Sequence, residues 1–197
     1  MGESKLKRME RVHQDVMGCR RCSLCSEARN PVIGEGNVDS KVVFIGEAPG
    51  RKEDELGRPF VGAAGQLLNK LLNSIGLKRE DVYIGNVVKC RPPDNRRPTL
   101  KELEACTTHI EDQLEIIRPR VIVAMGSSAI TYFWSRYNLK QSGIGELHGK
   151  YLEVTMPWGQ VILFASYHPA AALYNAELEG VLEKDFQALA DLLSRVD

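Results

Sequence analysis

Four cysteines stand at positions that could together hold a metal centre. Cys19 and Cys22 are three residues apart near the start of the chain, while Cys90 and Cys106 follow far downstream. We expect intracellular thiols to stay reduced, so this spacing favours a metal site over disulfides. Four thiolates suit an iron–sulfur cluster or structural zinc, and buried free cysteines are the alternative to both. Cys25 is a fifth thiol beside the first pair.

The elements that must position these thiols follow an alternating pattern. Short runs of β-branched residues alternate with helical patterns, which predicts a parallel sheet with helices on both faces. The predicted strands cover residues 41–46, 82–88, 121–125 and 161–165, the last paired in a hairpin with residues 151–156. The predicted helices cover residues 1–16, 63–75, 99–117, 127–136 and 177–194. Thr99 is expected to cap its helix, with Glu102 at the capping-box position.

Polar residues follow each predicted strand at its carboxyl end. Glu47 follows the first strand, and Asn86 and Lys89 stand at the end of the second. Ser127 follows the third strand and His168 the fourth. Open parallel sheets bind ligands at that edge, so we expect these side chains to converge on one crevice.

Residues 46–65 form a segment rich in glycine and proline, which predicts a functional loop. Glu47 lies directly on the strand end, where its carboxylate is expected to face the crevice. Glu53, Asp54 and Glu55 are interpreted instead as acids on a solvated face.

Composition sets broad limits on the function. The chain has 197 residues, 43% of them hydrophobic, and its 26 basic residues balance 26 acidic ones. These values favour one globular domain over residues 1–197, and binding to a polyanion would have to depend on local clusters of charge. The amino terminus lacks the apolar core of a signal peptide, and we see no membrane span. We therefore expect a cytoplasmic protein without a membrane partner.

Four motifs resemble those of one enzyme family. The motifs GEAPG (46–50), GRPFVGAAG (57–65), NVVKCRPP (86–93) and SYHPAA (166–171) stand together with cysteines 19, 22, 90 and 106. Jointly they resemble the family 4 uracil-DNA glycosylases, and the resemblance spans about residues 19–175. It implies a three-layer α/β/α fold around a four-stranded parallel sheet. It also implies hydrolysis of the N-glycosidic bond of deoxyuridine in DNA, which releases uracil and leaves an abasic site.

The resemblance further implies a 4Fe-4S cluster on Cys19, Cys22, Cys90 and Cys106, with Cys25 as a spare thiol. In this family the cluster is usually taken as structural. We expect it to fix the loop at residues 91–98 against the amino-terminal region.

Reading a base requires that the nucleotide be flipped out of the duplex into a pocket. We assign the reading of uracil to Asn86, because an amide oxygen can accept from N3–H while its NH₂ donates to O4. Phe60 would stack on the base, and Gly46 and Ala48 would complete the pocket.

Bond cleavage leaves negative charge on uracil and positive character on the sugar, and each needs an opposite partner. His168 is expected to donate a hydrogen bond to uracil O2 as a neutral imidazole. Glu47 is expected to face the sugar and to orient or deprotonate water. In the best-known branch of the superfamily the acid stands one position later, where this chain has Ala48.

Contacts with DNA are predicted for Arg58, Lys89, Arg91, Arg96 and Leu173. Arg51, Lys52 and Arg97 belong to the same basic clusters. Leu173 or Tyr174 would fill the space left by the flipped base. The amides at Ser127 and Ser128 would hold a phosphate or simply begin a helix.

Three other interpretations of the sequence are possible. A scaffold stapled by zinc would bind without turnover, although the presence of Glu47 and His168 argues against it. A protein that traps uracil-DNA covalently would need a histidine on an inserted loop, and residues 90–98 contain none. A phosphate-binding enzyme would need a GK[ST] sequence. We expect a monomer that acts on single- or double-stranded DNA containing uracil, and no motif indicates a sliding clamp as partner.

Overall fold

One mixed sheet lies at the centre of residues 3–196, which are the residues described by this computed structural model. Its strands are β1 (Glu35–Gly36), β2 (Val42–Gly46), β3 (Tyr83–Asn86), β4 (Val121–Met125), β5 (Tyr151–Met156) and β6 (Gly159–Ser166). Their order across the sheet is β1-β3-β2-β4-β6-β5. The middle four strands are parallel, while β1 and β5 pair antiparallel at the two edges. The four predicted parallel strands are thus the centre of a larger sheet. The predicted hairpin strand at 151–156 is confirmed as β5, whereas β1, which has only two residues, was not predicted.

Helices cover both faces of the sheet. They are α1 (Lys5–Met17), α2 (Leu24–Glu27), α3 (Arg51–Leu56), α4 (Ala63–Ser74), α5 (Leu100–Ile117), α6 (Ser127–Arg136), α7 (Ile144–Leu147), α8 (Pro169–Ala172) and α9 (Glu177–Leu193). Helices α1, α5 and α6 bury apolar side chains against one face, and α4 and α9 do so against the other. The three-layer α/β/α fold is therefore confirmed. No helix within residues 3–196 is both long and apolar enough to cross a membrane.

The core strands are buried on both faces, which explains their continuous apolar sequences. Every residue of β2 and of β4 is buried, as expected for strands covered by helices on both sides. Strand β3 is shorter than the predicted strand at residues 82–88. Beyond its last paired residue, the amides of Val87 and Val88 still donate to the carbonyls of Gly46 and Glu47. The first two residues of the predicted amino-terminal helix, Met1 and Gly2, lie outside the described residues.

Helix boundaries follow local capping chemistry. Thr99 accepts from the amide of Glu102, whose carboxylate in turn accepts from the amide of Thr99, so the predicted capping box is present. Helix α3 was not predicted, because glycines flank it on both sides. Gly57 ends it with φ of 68°, a conformation that glycine adopts without strain.

Two of the three acids of α3, Glu53 and Asp54, are not on a solvated face, so that interpretation was wrong for them, whereas Glu55 makes only surface ion pairs. Asp54 is buried and accepts hydrogen bonds from the amides of Arg29 and Asn30. It therefore ties α3 to the segment that leads from α2 to β1.

Candidate active site

A cavity of about 350 Å³ opens at the carboxyl edge of the sheet, beyond the ends of β2, β3 and β6. The residues that line it include five predicted for uracil binding or catalysis, namely Glu47, Ala48, Phe60, Asn86 and His168. The structure thus brings together side chains that are up to 121 residues apart in the sequence. Ser127 and Ser128 do not reach this cavity, because they line a separate groove between α5 and α6.

Asn86 ends β3 and presents a buried amide to the cavity. Its side chain is 2% exposed, and Oδ1 has no hydrogen-bond partner among the described residues. A buried polar atom without a partner costs about 1–3 kcal/mol, so such atoms occur mainly where a ligand or water completes them. The Asn86 oxygen is therefore free to accept from an N–H group of a bound base.

His168 follows β6 and caps the amino end of α8. Its Nδ1 accepts a hydrogen bond from the amide of Ala170 at 3.1 Å. Burial lowers the pKa of His168 to about 4, although the charge of Glu53 opposes that shift. The imidazole is thus neutral at pH 7, and because Nδ1 is the acceptor, Nε2 carries the proton. This ring can donate to a ligand from Nε2.

Phe60 forms a flat apolar wall of the cavity. Its ring stacks on that of His168, with centroids 5.3 Å apart and 26° between the planes. A Cβ at Gly46 would stand 2.5 Å from Asn86 Oδ1 and 2.8 Å from Phe60 Cζ. Gly46 is therefore needed because Asn86 and Phe60 approach the strand end so closely.

The turn that carries Phe60 is held by charged side chains that the sequence did not reveal as functional. Phe60 adopts a φ of 50°, which is strained for an aromatic residue. Glu53 Oε1 accepts from the amides of Val61 and Gly62, both at 2.9 Å. Arg79 donates to the Phe60 carbonyl at 3.0 Å and also to that of Pro59. Glu53 and Arg79 thus form a clamp on the Phe60 turn. No sequence signal identifies this clamp, because it consists of contacts between residues that only the fold brings together.

Arg58 belongs to the same network. Its guanidinium makes two hydrogen bonds to Glu35, which also accepts from Arg79 at 2.7 Å. The side chain of Arg58 is still 61% exposed, so a contact with DNA stays a prediction. Burial acts to raise the pKa of Glu35, but the hydrogen bonds and charges of Arg58 and Arg79 together lower it below its ordinary value.

Glu47 lies at the end of β2, on the rim of the same cavity. Its backbone carbonyl accepts from the amide of Val88 at 2.9 Å, which fixes the strand end. Its carboxylate makes no hydrogen bond or ion pair with any residue in the described range, 3–196. The partly buried carboxylate is therefore available to a ligand or a water molecule.

Lys89 contradicts the prediction that it contacts DNA. Its side chain is 1% exposed, and Nζ donates to the Asn86 carbonyl and to Gln113 Oε1 at 2.8 and 2.7 Å. Burial lowers the pKa of Lys89 to about 8, and Cys106 opposes this shift. The ammonium faces the interior, so it cannot touch a phosphate here.

Arg91 and Arg96 lie on the exposed loop that follows Cys90. Arg91 donates to Asn95 Oδ1 at 2.7 Å, and Arg96 lines the cavity while making two hydrogen bonds to Glu102. Arg96 and then Thr99 lower the pKa of Glu102 to about 2, although burial opposes them. Arg96 is exposed at the cavity, whereas Arg91 is partly buried and does not line it, so its contact with DNA stays a prediction. Arg97 lines the groove between α5 and α6 instead.

Leu173 and Tyr174 project from the end of α8. Their exposures are 50% and 92%, which are high values for large apolar side chains. Tyr174 lines the cavity, whereas Leu173 does not. Either residue is accessible to a DNA duplex that approaches this edge.

Comparison with known proteins identifies the family. The sequence profile of the uracil DNA glycosylase superfamily matches residues 33–193. A type-4 uracil-DNA glycosylase from Archaeoglobus fulgidus is 46% identical over 96% of this chain and 96% of its own length. The chain belongs to the type-4 uracil-DNA glycosylases. Proteins of that name from Saccharolobus solfataricus and Sulfurisphaera tokodaii are 44% and 43% identical, over 94% and 93% of this chain and 87% and 84% of theirs.

The five cysteines of this type-4 family member surround one small internal cavity. Cys90 and Cys106 are buried, while Cys19, Cys22 and Cys25 are partly exposed. Within residues 3–196 no three His, Cys, Asp or Glu side chains are close enough for a single metal ion. A set of thiols around one cavity is a donor set that suits an iron–sulfur cluster or structural zinc.

The buried thiols are neutral unless a metal binds them. Burial, and then the neighbouring thiols, raises the pKa of Cys90 to about 12, and burial raises that of Cys106 as well. A bound metal centre would stabilise their thiolate forms. The donor set therefore fits the cluster that the family resemblance implies.

Proposed function

We propose that this protein hydrolyses the N-glycosidic bond of deoxyuridine in DNA, releasing uracil and leaving an abasic site. The observation that carries the proposal is the placement of an amide oxygen, a neutral imidazole and a carboxylate around one cavity, the amide oxygen and the carboxylate both without a partner among residues 3–196. They belong to Asn86, His168 and Glu47. These are the groups needed to read the base, stabilise its anion and direct water to the sugar.

Uracil recognition follows from the amide of Asn86. Its Oδ1 accepts from uracil N3–H and its Nδ2 donates to O4, whereas cytosine presents the reverse pattern and is rejected. Phe60 stacks on the flipped base, while Gly46 and Ala48 leave room for it at the strand end. The buried position of Asn86 makes a wrong base costly, because its oxygen would stay unpaired.

Cleavage depends on charge stabilisation at both ends of the breaking bond. The C1′–N1 bond breaks with its electron pair leaving on uracil, and His168 donates from Nε2 to the developing charge at O2. Water attacks C1′, and Glu47 takes its proton while its negative charge favours the cationic sugar. Because no covalent bond to the protein forms, the products are uracil and an intact abasic strand.

DNA is held at the mouth of the cavity. Arg91 and Arg96 contact phosphates on either side of the flipped nucleotide, and Arg58 extends this basic surface. Leu173 enters the space that the base vacates, with Tyr174 beside the cavity. Single strands avoid the cost of unpairing, so we include them among the substrates.

The proposed cofactor is a 4Fe-4S cluster held by Cys19, Cys22, Cys90 and Cys106, with Cys25 spare. When bound it supplies structural cross-linking, and no step of the hydrolysis passes through it. Cys90 immediately precedes the loop of Arg91 and Arg96, so the cluster would hold that loop against the amino-terminal helices. A brown protein with iron and sulfide would support the cluster, and a colourless protein with zinc would contradict it.

The remaining parts of the proposal concern the whole protein. One chain supplies every group named here, which supports action as a monomer. A shared sheet flanked by both apolar clusters supports one domain over residues 1–197. Its DNA substrate supports an intracellular location.

The test is incubation with an oligonucleotide that contains one uracil, followed by alkali to cleave abasic sites. We expect scission by the wild type and a loss of about 10²–10³-fold in kcat for His168→Ala. We expect a loss within about 10²–10⁴-fold for Glu47→Ala, with exposed Glu80→Ala as the matched control. Unchanged cleavage by both variants would refute the assigned roles. A protein–DNA complex that survives a denaturing gel would indicate covalent trapping instead.

A further inference from the structure

Lys89 is a buried cation inside the NVVKCRPP motif, and its contacts suggest a task other than binding DNA. A buried ammonium is costly unless its hydrogen bonds are satisfied. Nζ donates to the backbone carbonyl of Asn86 at 2.8 Å and to Gln113 Oε1 at 2.7 Å. The ammonium therefore bridges the end of β3 and the middle of α5.

Gln113 is a rigid anchor for this bridge. The residue is fully buried, and its Nε2 donates to the Ile33 carbonyl at 2.9 Å and to the Tyr83 hydroxyl at 3.1 Å. The two hydrogen bonds from Nε2 fix the orientation of the Gln113 amide, so its Oε1 faces Lys89. The Asn86 main chain is consequently tied to α5 at the point where β3 leaves the sheet.

The backbone of Lys89 also contacts the cysteine centre. In the described part of the chain, no ion pair joins Lys89 to a carboxylate. Its backbone amide donates to Cys106 Sγ at 3.2 Å, and Cys90 is the next residue. The main chain at Lys89 is therefore held at the proposed cluster ligands, while Nζ donates to Asn86 and Gln113.

We propose that Lys89 is a positioning residue that fixes the Asn86 main chain and thereby aims its amide at the Watson–Crick edge of uracil. This proposal rests on the proposed function, because it deepens the account of how the base is read. Lys89 touches neither the base nor the sugar. Its effect reaches the base only through Asn86.

The experiment measures the affinity of Lys89→Met for free uracil by calorimetry and for an oligonucleotide with an abasic site by fluorescence anisotropy. Lys184→Met, on the exposed face of α9, is the matched control. We expect uracil affinity to fall by about tenfold or more, as for loss of a charge-assisted hydrogen bond, while abasic DNA binds as to wild type. We also expect kcat/KM for the uracil oligonucleotide to fall. Proteins are compared at equal iron per chain.

An unchanged affinity for uracil would overturn the proposal, and so would an equal loss for uracil and abasic DNA, which would mark a general structural role. If Lys89→Met does not fold, Gln113→Met is used instead. It removes one of the two acceptors of the Lys89 ammonium and leaves the charge of Lys89 in place. Weaker uracil binding by Gln113→Met would then support the proposal, and wild-type affinity would overturn it. If the wild type does not release uracil from DNA, the proposed function is refuted. The binding measurement tests the role of Lys89 separately from that outcome.

Discussion

In the proposed mechanism, the chemistry of the cavity depends on the protonation of one histidine. The Ala170 amide occupies Nδ1 of His168, and burial lowers the pKa of the ring to about 4. The neutral form with a proton on Nε2 thus persists over the whole physiological range. A donor that needs no prior protonation suits the stabilisation of a leaving anion.

The pH dependence of cleavage should reflect this shift. A folded-state pKa of about 4 means that His168 stays neutral well below the 6.5 of a free histidine. We therefore expect the single-turnover rate to show no inflexion near pH 6.5 from this residue. An acid limb near pH 6.5 that disappears in His168→Ala would contradict the expectation.

The same shift has a consequence for stability. Between pH 4 and 6.5 the unfolded chain binds a proton at this histidine that the folded chain does not, so its contribution to the unfolding free energy falls as pH is lowered through that window. This contribution is fully present above about pH 6.5.

Gly46 provides a steric test of the pocket. A methyl group there would press on Asn86 Oδ1 and Phe60 Cζ, so Gly46→Ala should displace the amide, the aromatic wall or both. We expect kcat/KM on the uracil oligonucleotide to fall by at least about tenfold, in line with misplacement near the reacting groups. Gly143→Ala is the matched control, because a Cβ there meets no atom within 4 Å. Equal activity of the two variants would show that the pocket does not depend on this close approach.

At the scale of elements, the Phe60 turn is the feature that most needs support. Glu53 holds two amides of the turn, and Arg79 holds two carbonyls from the opposite side. The strained φ of Phe60 is maintained by these charged contacts. Helix α3, which carries Glu53, is therefore part of the pocket and not merely a connection.

Variants of Glu53 should separate geometry from charge. Glu53→Gln keeps an oxygen that can accept from both amides, so we expect most activity to remain. Glu53→Ala leaves the amides of Val61 and Gly62 without this acceptor, and we expect kcat/KM to fall by about tenfold or more. Glu55→Ala, which loses only surface ion pairs, is the control. Equal losses for the Gln and Ala variants would show that charge, not geometry, is what matters.

The sequence predicted some of the elements around the cavity and missed others. The strand ends that carry Glu47, Asn86 and His168 were found because continuous apolar runs have clear limits. Helix α3 and the clamp were not, because a hydrogen bond between Glu53 and the amide of Val61 leaves no local pattern. Lys89 was misplaced because it precedes Arg91 in a run that looks basic, whereas its burial depends on Gln113, which only the folded chain brings near.

At the scale of the molecule, the loop at residues 91–98 is tied to α5 at its far end, and the proposed cluster would hold its near end. Cys90 precedes it, and the pair of Arg96 with Glu102 ties its far part to the start of α5. Cys106 lies one turn further along the same helix. The proposed cluster and the arginine of the cavity mouth therefore share one rigid support.

Removal of the cluster should loosen this support. We expect Cys106→Ser to lose iron and to become more sensitive to proteolysis within residues 91–98, with a parallel loss of activity. Cys25→Ser is the matched control and should keep its iron. Iron content, absorption in the visible range and limited proteolysis provide the measurement. Retention of iron by Cys106→Ser together with its loss by Cys25→Ser would show that the ligand set is different.

The hydrogen bond from the Ala170 amide to His168 comes from the main chain, and that limits how this enzyme can vary. Where an aspartate side chain orients an imidazole, a single substitution of that aspartate can change the tautomer of the ring. Here every amino acid at position 170 except proline presents the same N–H, so mutation of the partner side chain leaves the tautomer untouched. The position of the proton on Nε2, which the proposed mechanism requires, therefore does not depend on the side chain at position 170.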